Sequence, residues 1–286
     1  MDPQKPPESL TAARADFATC LTRLEHEHFP PPEPPPELFL LVRFPSPAGH
    51  LAAYLTPGAG NGVPQPVLIW LPGQFHAGLS TTAWEFGDKP SSPDPRVCLA
   101  EGVRLMIPSF RGGNDNPGAQ EGFLGEVDDV LAAAAYLRTR SDIEPTRIYL
   151  GGHSTGGTLA LLVAETGTRL FQSIIALGPR HEISTYSPDH LPFDTDNMEE
   201  CAMRSPIGWL ESIQAHTLVL EGDHKGNRKS WRALKATAQS GLMEFHEVPG
   251  ADHFSLVLPV TALVVQKIAR SPGPVKIIAQ DLADLV

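Results

Sequence analysis

The chain has 286 residues, of which 41% are apolar and 19% charged, with a formal net charge of −11. This suits a globular protein with a large core, and the acidic balance excludes a nucleic-acid backbone as the expected partner. Cys20, Cys98 and Cys201 are widely spaced and odd in number, with no C-x-x-C pair, and read as reduced thiols rather than a metal or redox site.

The first residues, Met-Asp-Pro-Gln-Lys-Pro-Pro-Glu, lack the apolar core of a signal peptide, and no apolar run reaches membrane-spanning length. A cytoplasmic protein with no membrane partner is expected. Residues 8–27 carry Leu10, Phe17, Leu21 and Leu24 at roughly helical spacing, which predicts one amphipathic helix. Pro30 to Pro36 can be neither helix nor central strand and should run as an extended spacer, a stiff connector rather than a ligand for a proline-recognising domain.

Leu38–Phe44 and His50–Leu55 flank a Pro-Ser-Pro-Ala-Gly turn and predict an antiparallel hairpin. Val67–Leu71 is continuously apolar, as in a strand covered on both faces of a parallel sheet. The loop after it, Pro72-Gly73-Gln74-Phe75, would bring a backbone N–H of Gln74 or Phe75 to a reacting group. Val103–Ile107 is the next strand. The turn-rich stretch after it holds Arg111, which reads as a loop brace. Glu126, Asp128 and Asp129 open a helix that closes on Arg138 and Arg140, an arrangement accounted for by the helix dipole.

Residues 147–160, Arg-Ile-Tyr-Leu-Gly-Gly-His-Ser-Thr-Gly-Gly-Thr-Leu-Ala, read as strand, sharp turn and helix start, with Gly152, Ser154 and Gly156 fitting G-x-S-x-G. A serine hydroxyl becomes a useful nucleophile only when it stands clear of the sheet, near a base, and beside N–H groups that can receive an oxyanion. The turn supplies the first condition, and the free N–H of Thr155 at the helix N-terminus supplies part of the last.

Further on, Ser173–Leu177 is a strand, residues 178–209 form an irregular cap-like insertion, and Thr217–Leu220 is another strand. A polar helix at 229–239, a strand at Met243–Val248 and an apolar helix at Leu256–Ala269 follow, then a surface tail. Strand and helix alternate from residue 67, which predicts a doubly wound, mostly parallel α/β sheet. We expect an N-terminal helix and spacer at 1–37, one domain at 38–274 and a tail at 275–286.

For a nucleophile of this type the order in the chain should be serine, acid, histidine. His253, on the loop after the last strand, is the expected general base. Asp223 is the first choice of acid because it lies beyond Gly222 in the loop proper. Glu221 is the alternative, with Glu182 a third candidate.

With these residues the chain resembles the α/β-hydrolase superfamily. Residues 67–270 are similar to the catalytic domain of prolyl-oligopeptidase-type and dienelactone-hydrolase-type proteins. The likeness is carried by Phe110-Arg111-Gly112-Gly113, Glu126 and Asp129, Asp142 to Gly157, Ser205-Pro206-Ile207, and Gly250 to Phe254. In that family the acid stands three residues after a glycine, but counting from Gly222 reaches Lys225. Its elbow often has Tyr where His153 stands here. The residues before the first core strand are too few for the propeller of the oligopeptidases. The resemblance therefore implies hydrolysis of a small ester or amide through an acyl-enzyme, with no metal or organic cofactor. Peptidase, aminopeptidase or acyltransferase action is the alternative, and a non-catalytic ligand-binding protein of the same fold is a further one.

Overall fold

The computed structural model describes residues 9–283 and residue 285. Residues 1–8, on which the reading of the chain's start rests, and residues 284 and 286 of the tail lie outside the described residues.

The elements in chain order are α1 (Leu10–Arg14), β1 (Leu40–Ser46), β2 (Gly49–Leu55), β3 (Gln65–Leu71), α2 (Pro95–Ala100), β4 (Arg104–Pro108), α3 (Gly125–Arg138), β5 (Ile143–His153) and α4 (Thr155–Ala164). They continue with β6 (Ile174–Leu177), α5 (Met198–Met203), β7 (Thr217–Gly222), α6 (Arg228–Thr237), β8 (Met243–Val248), α7 (Val257–Arg270) and α8 (Ala279–Leu282). All eight strands form one sheet in the order β1-β2-β4-β3-β5-β6-β7-β8. The β1–β2 hairpin is antiparallel, β2 pairs antiparallel with β4, and every pairing from β4 through β8 is parallel. This is the expected mostly parallel α/β sheet, in the α/β-hydrolase arrangement.

The sheet has a core on each face. On β3, Val67, Ile69 and Leu71 point into the core shared with α3 and α4, while Leu68 and Trp70 point into the one shared with α2 and α7. This two-residue alternation explains the unbroken apolar run. Burying such side chains contributes ~1.5–3 kcal/mol each, so this strand alone rivals the ~5–15 kcal/mol net stability of a typical protein.

Two segments depart from expectation. The described N-terminal helix spans only Leu10–Arg14, capped by Ser9. Beyond it the chain runs as a strap. Thr22 N–H donates to Pro192 O at 2.7 Å, Leu21 bridges Phe193, Glu27 N–H donates to Gly112 O at 2.7 Å, and Gln120 N–H donates to Glu25 O at 3.0 Å. The backbone groups that a helix would have satisfied internally are met by the insertion and the loop after β4. The tail also packs. Val275, Ile277 and Leu282 are buried in the α7-side core, and Val275 N–H donates to Ser173 Oγ at 2.9 Å.

Candidate active site

The sharp turn between β5 and α4 sets Ser154 at φ 55° and ψ −112°, a region that non-glycine residues rarely occupy. Its N–H donates to Leu177 O at 2.8 Å, which ties the turn to the end of β6. The glycines are required by close approach. A Cβ on Gly156 would lie 1.9 Å from Leu71 O, and one on Gly152 would lie 2.3 Å from Gly156 O. Helix α4 therefore crosses directly against the ends of β3 and β5.

His253 lies on the loop between β8 and α7. Its ring rests against Gly178, where a Cβ would come within 2.6 Å of Nδ1, so the ring fits beside the elbow only because residue 178 has no side chain. His253 Nδ1 is 3.2 Å from Glu221 Oε2. Glu221 is fully buried at the end of β7, and its two oxygens also accept the N–H groups of Gly222 at 2.9 Å and Asn227 at 2.7 Å. These donors compensate a carboxylate that would otherwise be costly to bury.

Asp223, the first choice of acid from sequence, faces elsewhere. It is partly exposed, accepts Gly250 N–H at 3.0 Å and lies 2.7 Å from His224 Nδ1. The difference in placement has a simple cause. One residue past Gly222 the backbone has left the sheet, and Asp223 serves the turn instead of the histidine. Glu182 is likewise remote, its half-exposed carboxylate 3.9 Å from His181. A carboxylate closing an otherwise apolar buried strand was the signal for Glu221, because such a group needs a partner.

The two arms expected to supply N–H groups also meet. Gln74 N–H donates to Thr155 Oγ1 at 2.7 Å, and the same hydroxyl donates to Gln74 O at 2.8 Å. The N–H of Gln74 is thus consumed by the threonine. Among the described residues, the N–H groups of Phe75 and Thr155 have no acceptor.

A model of the prolyl oligopeptidase family matches residues 96–256, more than half of the chain and all of the segment from α2 to the His253 loop. The chain belongs to the prolyl oligopeptidase family. As a member of it, the chain is a serine hydrolase. It is 26% identical over 207 residues to the uncharacterized peptidase YtmA of Bacillus subtilis (strain 168), covering 65% of this chain and 78% of that relative. Its fold is similar to that of a Mycobacterium tuberculosis puromycin-hydrolyzing peptidase, with TM-score 0.65 and 16% identity over 83% of this chain and 40% of that one. It is similar also to Porphyromonas gingivalis dipeptidyl peptidase 4, with TM-score 0.61 and 16% identity over 75% of this chain and 32% of that one. A 2,6-dihydroxy-pseudo-oxynicotine hydrolase matches with TM-score 0.61 and 16% identity over 83% of this chain and 70% of its own. The chain spans well under half the length of the two solved peptidases.

Within this prolyl oligopeptidase family domain, His153 is fully buried beside the elbow. Its Nε2–H donates to His253 O at 2.7 Å, and the two imidazole rings lie 4.6 Å apart. Burial, and secondarily the neighbouring His253, push its pKa down to about 3, so the ring is neutral. A cleft opens beside Thr155 and Gly156, walled by Phe75, Phe110, Phe123 and Leu159. Arg111 is the brace the sequence suggested, its guanidinium bonded twice to Asp129 at 3.0 Å and also to Glu121. Glu126, assigned from sequence to the helix dipole alone, is 6% exposed and lines the cleft, its pKa pushed up to about 7 mainly by burial. Among the described residues no helix is long and apolar enough to cross a membrane.

Proposed function

We propose that Ser154, His253 and Glu221 are the catalytic triad of a hydrolase acting on small carboxylic esters or amides. The observation that carries this reading is the His253 Nδ1 to Glu221 Oε2 contact at 3.2 Å, made beside a strained serine turn. Glu221 accepts the Nδ1–H and fixes the tautomer that leaves Nε2 free as a base. Ser154 Oγ attacks the acyl carbon as Nε2 takes its proton, and the oxyanion is received by the N–H groups of Thr155 and Phe75. The imidazolium then protonates the departing alcohol or amine. Water, deprotonated by the same histidine, releases the acid and regenerates Ser154.

Peptide-bond cleavage is the second reading, favoured by the family membership and by the relative named a peptidase. Turnover of p-nitrophenyl butyrate and of aminoacyl p-nitroanilides, together with fluorophosphonate labelling, tests both. Ser154→Ala should abolish labelling and turnover. Glu221→Gln should lower kcat by about 10²–10⁴-fold, while Asp223→Asn stays within a factor of a few. Turnover that survives Ser154→Ala, or that depends on Asp223 and not on Glu221, would sink the assignment.

A further inference from the structure

Glu126 takes no part in the chemistry above, yet it lines the cleft beside Thr155. Its Oε1 accepts Glu121 N–H at 2.7 Å, whereas its buried Oε2 has no hydrogen-bond partner among the described residues. A buried acceptor left without a donor is costly, and native structures rarely retain one without a use. The cations nearby are already engaged. Arg111 is held by Asp129 and Glu121, and Arg204 by Glu200 and the Glu121 carbonyl. Two guanidinium groups thus face four carboxyl groups when Glu126 is counted. What this guanidinium–carboxyl cluster lacks, among the described residues, is one further positive donor at Glu126 Oε2. The other walls of the cleft mix the apolar and aromatic side chains of Phe75, Phe110, Phe123 and Leu159 with His76 and His190.

We propose that Glu126 is a specificity-determining residue that receives a primary ammonium group carried on an apolar part of the substrate, so that the preferred substrates are amine-bearing esters or amides. This deepens the reading of Ser154 as nucleophile and rests on it for the word substrate. A hydroxyl could fill the hydrogen bond but not the charge deficit. An arriving ammonium does both and draws the Glu126 carboxyl into its ionised form.

Binding can be measured apart from catalysis by titrating the Ser154→Ala protein with 2-phenylethylamine and, separately, 2-phenylethanol, in a calorimeter at pH 8. The amine should bind about ten- to a hundredfold more tightly than the alcohol, the range expected for a hydrogen bond to a charged group. Replacing Glu126 by Gln in the same protein should bring the two affinities together. At pH 5.5, where the amine keeps its charge and Glu126 holds its proton, the preference should shrink without any substitution at 126. His76 and His190 also line the cleft, and any pH dependence that persists in Glu126→Gln belongs to them. Equal affinities at pH 8, an amine preference that survives Glu126→Gln, or no binding of either compound overturns the proposal. Should Glu126→Gln fail to fold, Glu126→Met in the same protein makes the same comparison, and an amine preference that survives it overturns the proposal. The nucleophile assignment fails on a separate result, ester turnover that survives Ser154→Ala.

Discussion

His153 shows how one side chain can act through another. Among the described residues its Nδ1 is buried without a partner while its Nε2–H holds the carbonyl of His253, so that hydrogen bond fixes the backbone that carries the proposed base. Replacing it with Phe keeps a ring in the packed space and deletes only that bond. The expected outcome is a fall in kcat of about ten- to a hundredfold with KM little changed, since small displacements of a catalytic group are costly. The acid limb of the pH profile should stay where it is, because His153 is already neutral above pH 4 or so, given its pKa of about 3. A limb that moves would show that His153 itself carries the titration. At this scale the sequence was most informative about the proposed nucleophile and base, where glycine spacing and loop position leave few choices. It was least informative about the acid. Asp223 and Glu221 are two residues apart, and only the strand's end point at Gly222 decides which carboxylate turns inward.

The strap at residues 19–28 and the insertion containing α5 are the elements whose arrangement sequence periodicity could not reveal. Leu10, Phe17, Leu21 and Leu24 suggested a helix. Leu10 is fully buried and Leu24 is 80% exposed, so their spacing reflects unrelated contacts and not one helical face. The strap is anchored at Glu200, which accepts Cys20 N–H at 2.6 Å and the Thr19 hydroxyl at 2.9 Å and pairs with the fully buried Arg204. Glu200→Gln leaves Arg204 buried without its counter-charge. It should destabilise the protein by about 3–5 kcal/mol in urea unfolding and expose residues 15–28 to limited proteolysis. If the strap resists protease as before, its anchor lies elsewhere. The sheet strands, by contrast, were readable because continuous apolar runs between turn residues have few alternatives to burial. The small helix α2 announces itself only by Asp94 and Pro95 at its start.

Over the whole molecule, buried ionisable groups shape how stability depends on pH. Glu165, at the end of α4, is fully buried with both carboxyl oxygens unpartnered among the described residues, and burial raises its pKa well above the ordinary value. Below its unfolded pKa of about 4.3 it is protonated in both states. Above that pH the unfolded chain releases the proton and the folded one keeps it, so the stability it supports falls as pH rises toward the folded pKa. Glu165→Met removes this liability. It should raise stability at pH 8 by about 1–3 kcal/mol, with a smaller gain at pH 4.5. Thermal melts at the two pH values check the sign, and a gain independent of pH would mean that packing and not charge is responsible. His153 works in the opposite direction, costing stability as pH falls below its unfolded pKa of about 6.5.

The strap also has a consequence for the order in which the protein is made. Cys20 and Glu200 are separated by 180 residues, so during synthesis the strap has to wait, without this anchor, until the insertion has followed it. The strands and helices between them can assemble meanwhile as the growing chain allows, but the wall of the cleft that depends on Pro192 cannot be secured until late. A chain ending before residue 200 would therefore lack the strap's anchor together with β7 and β8, and with them both members of the Glu221–His253 pair.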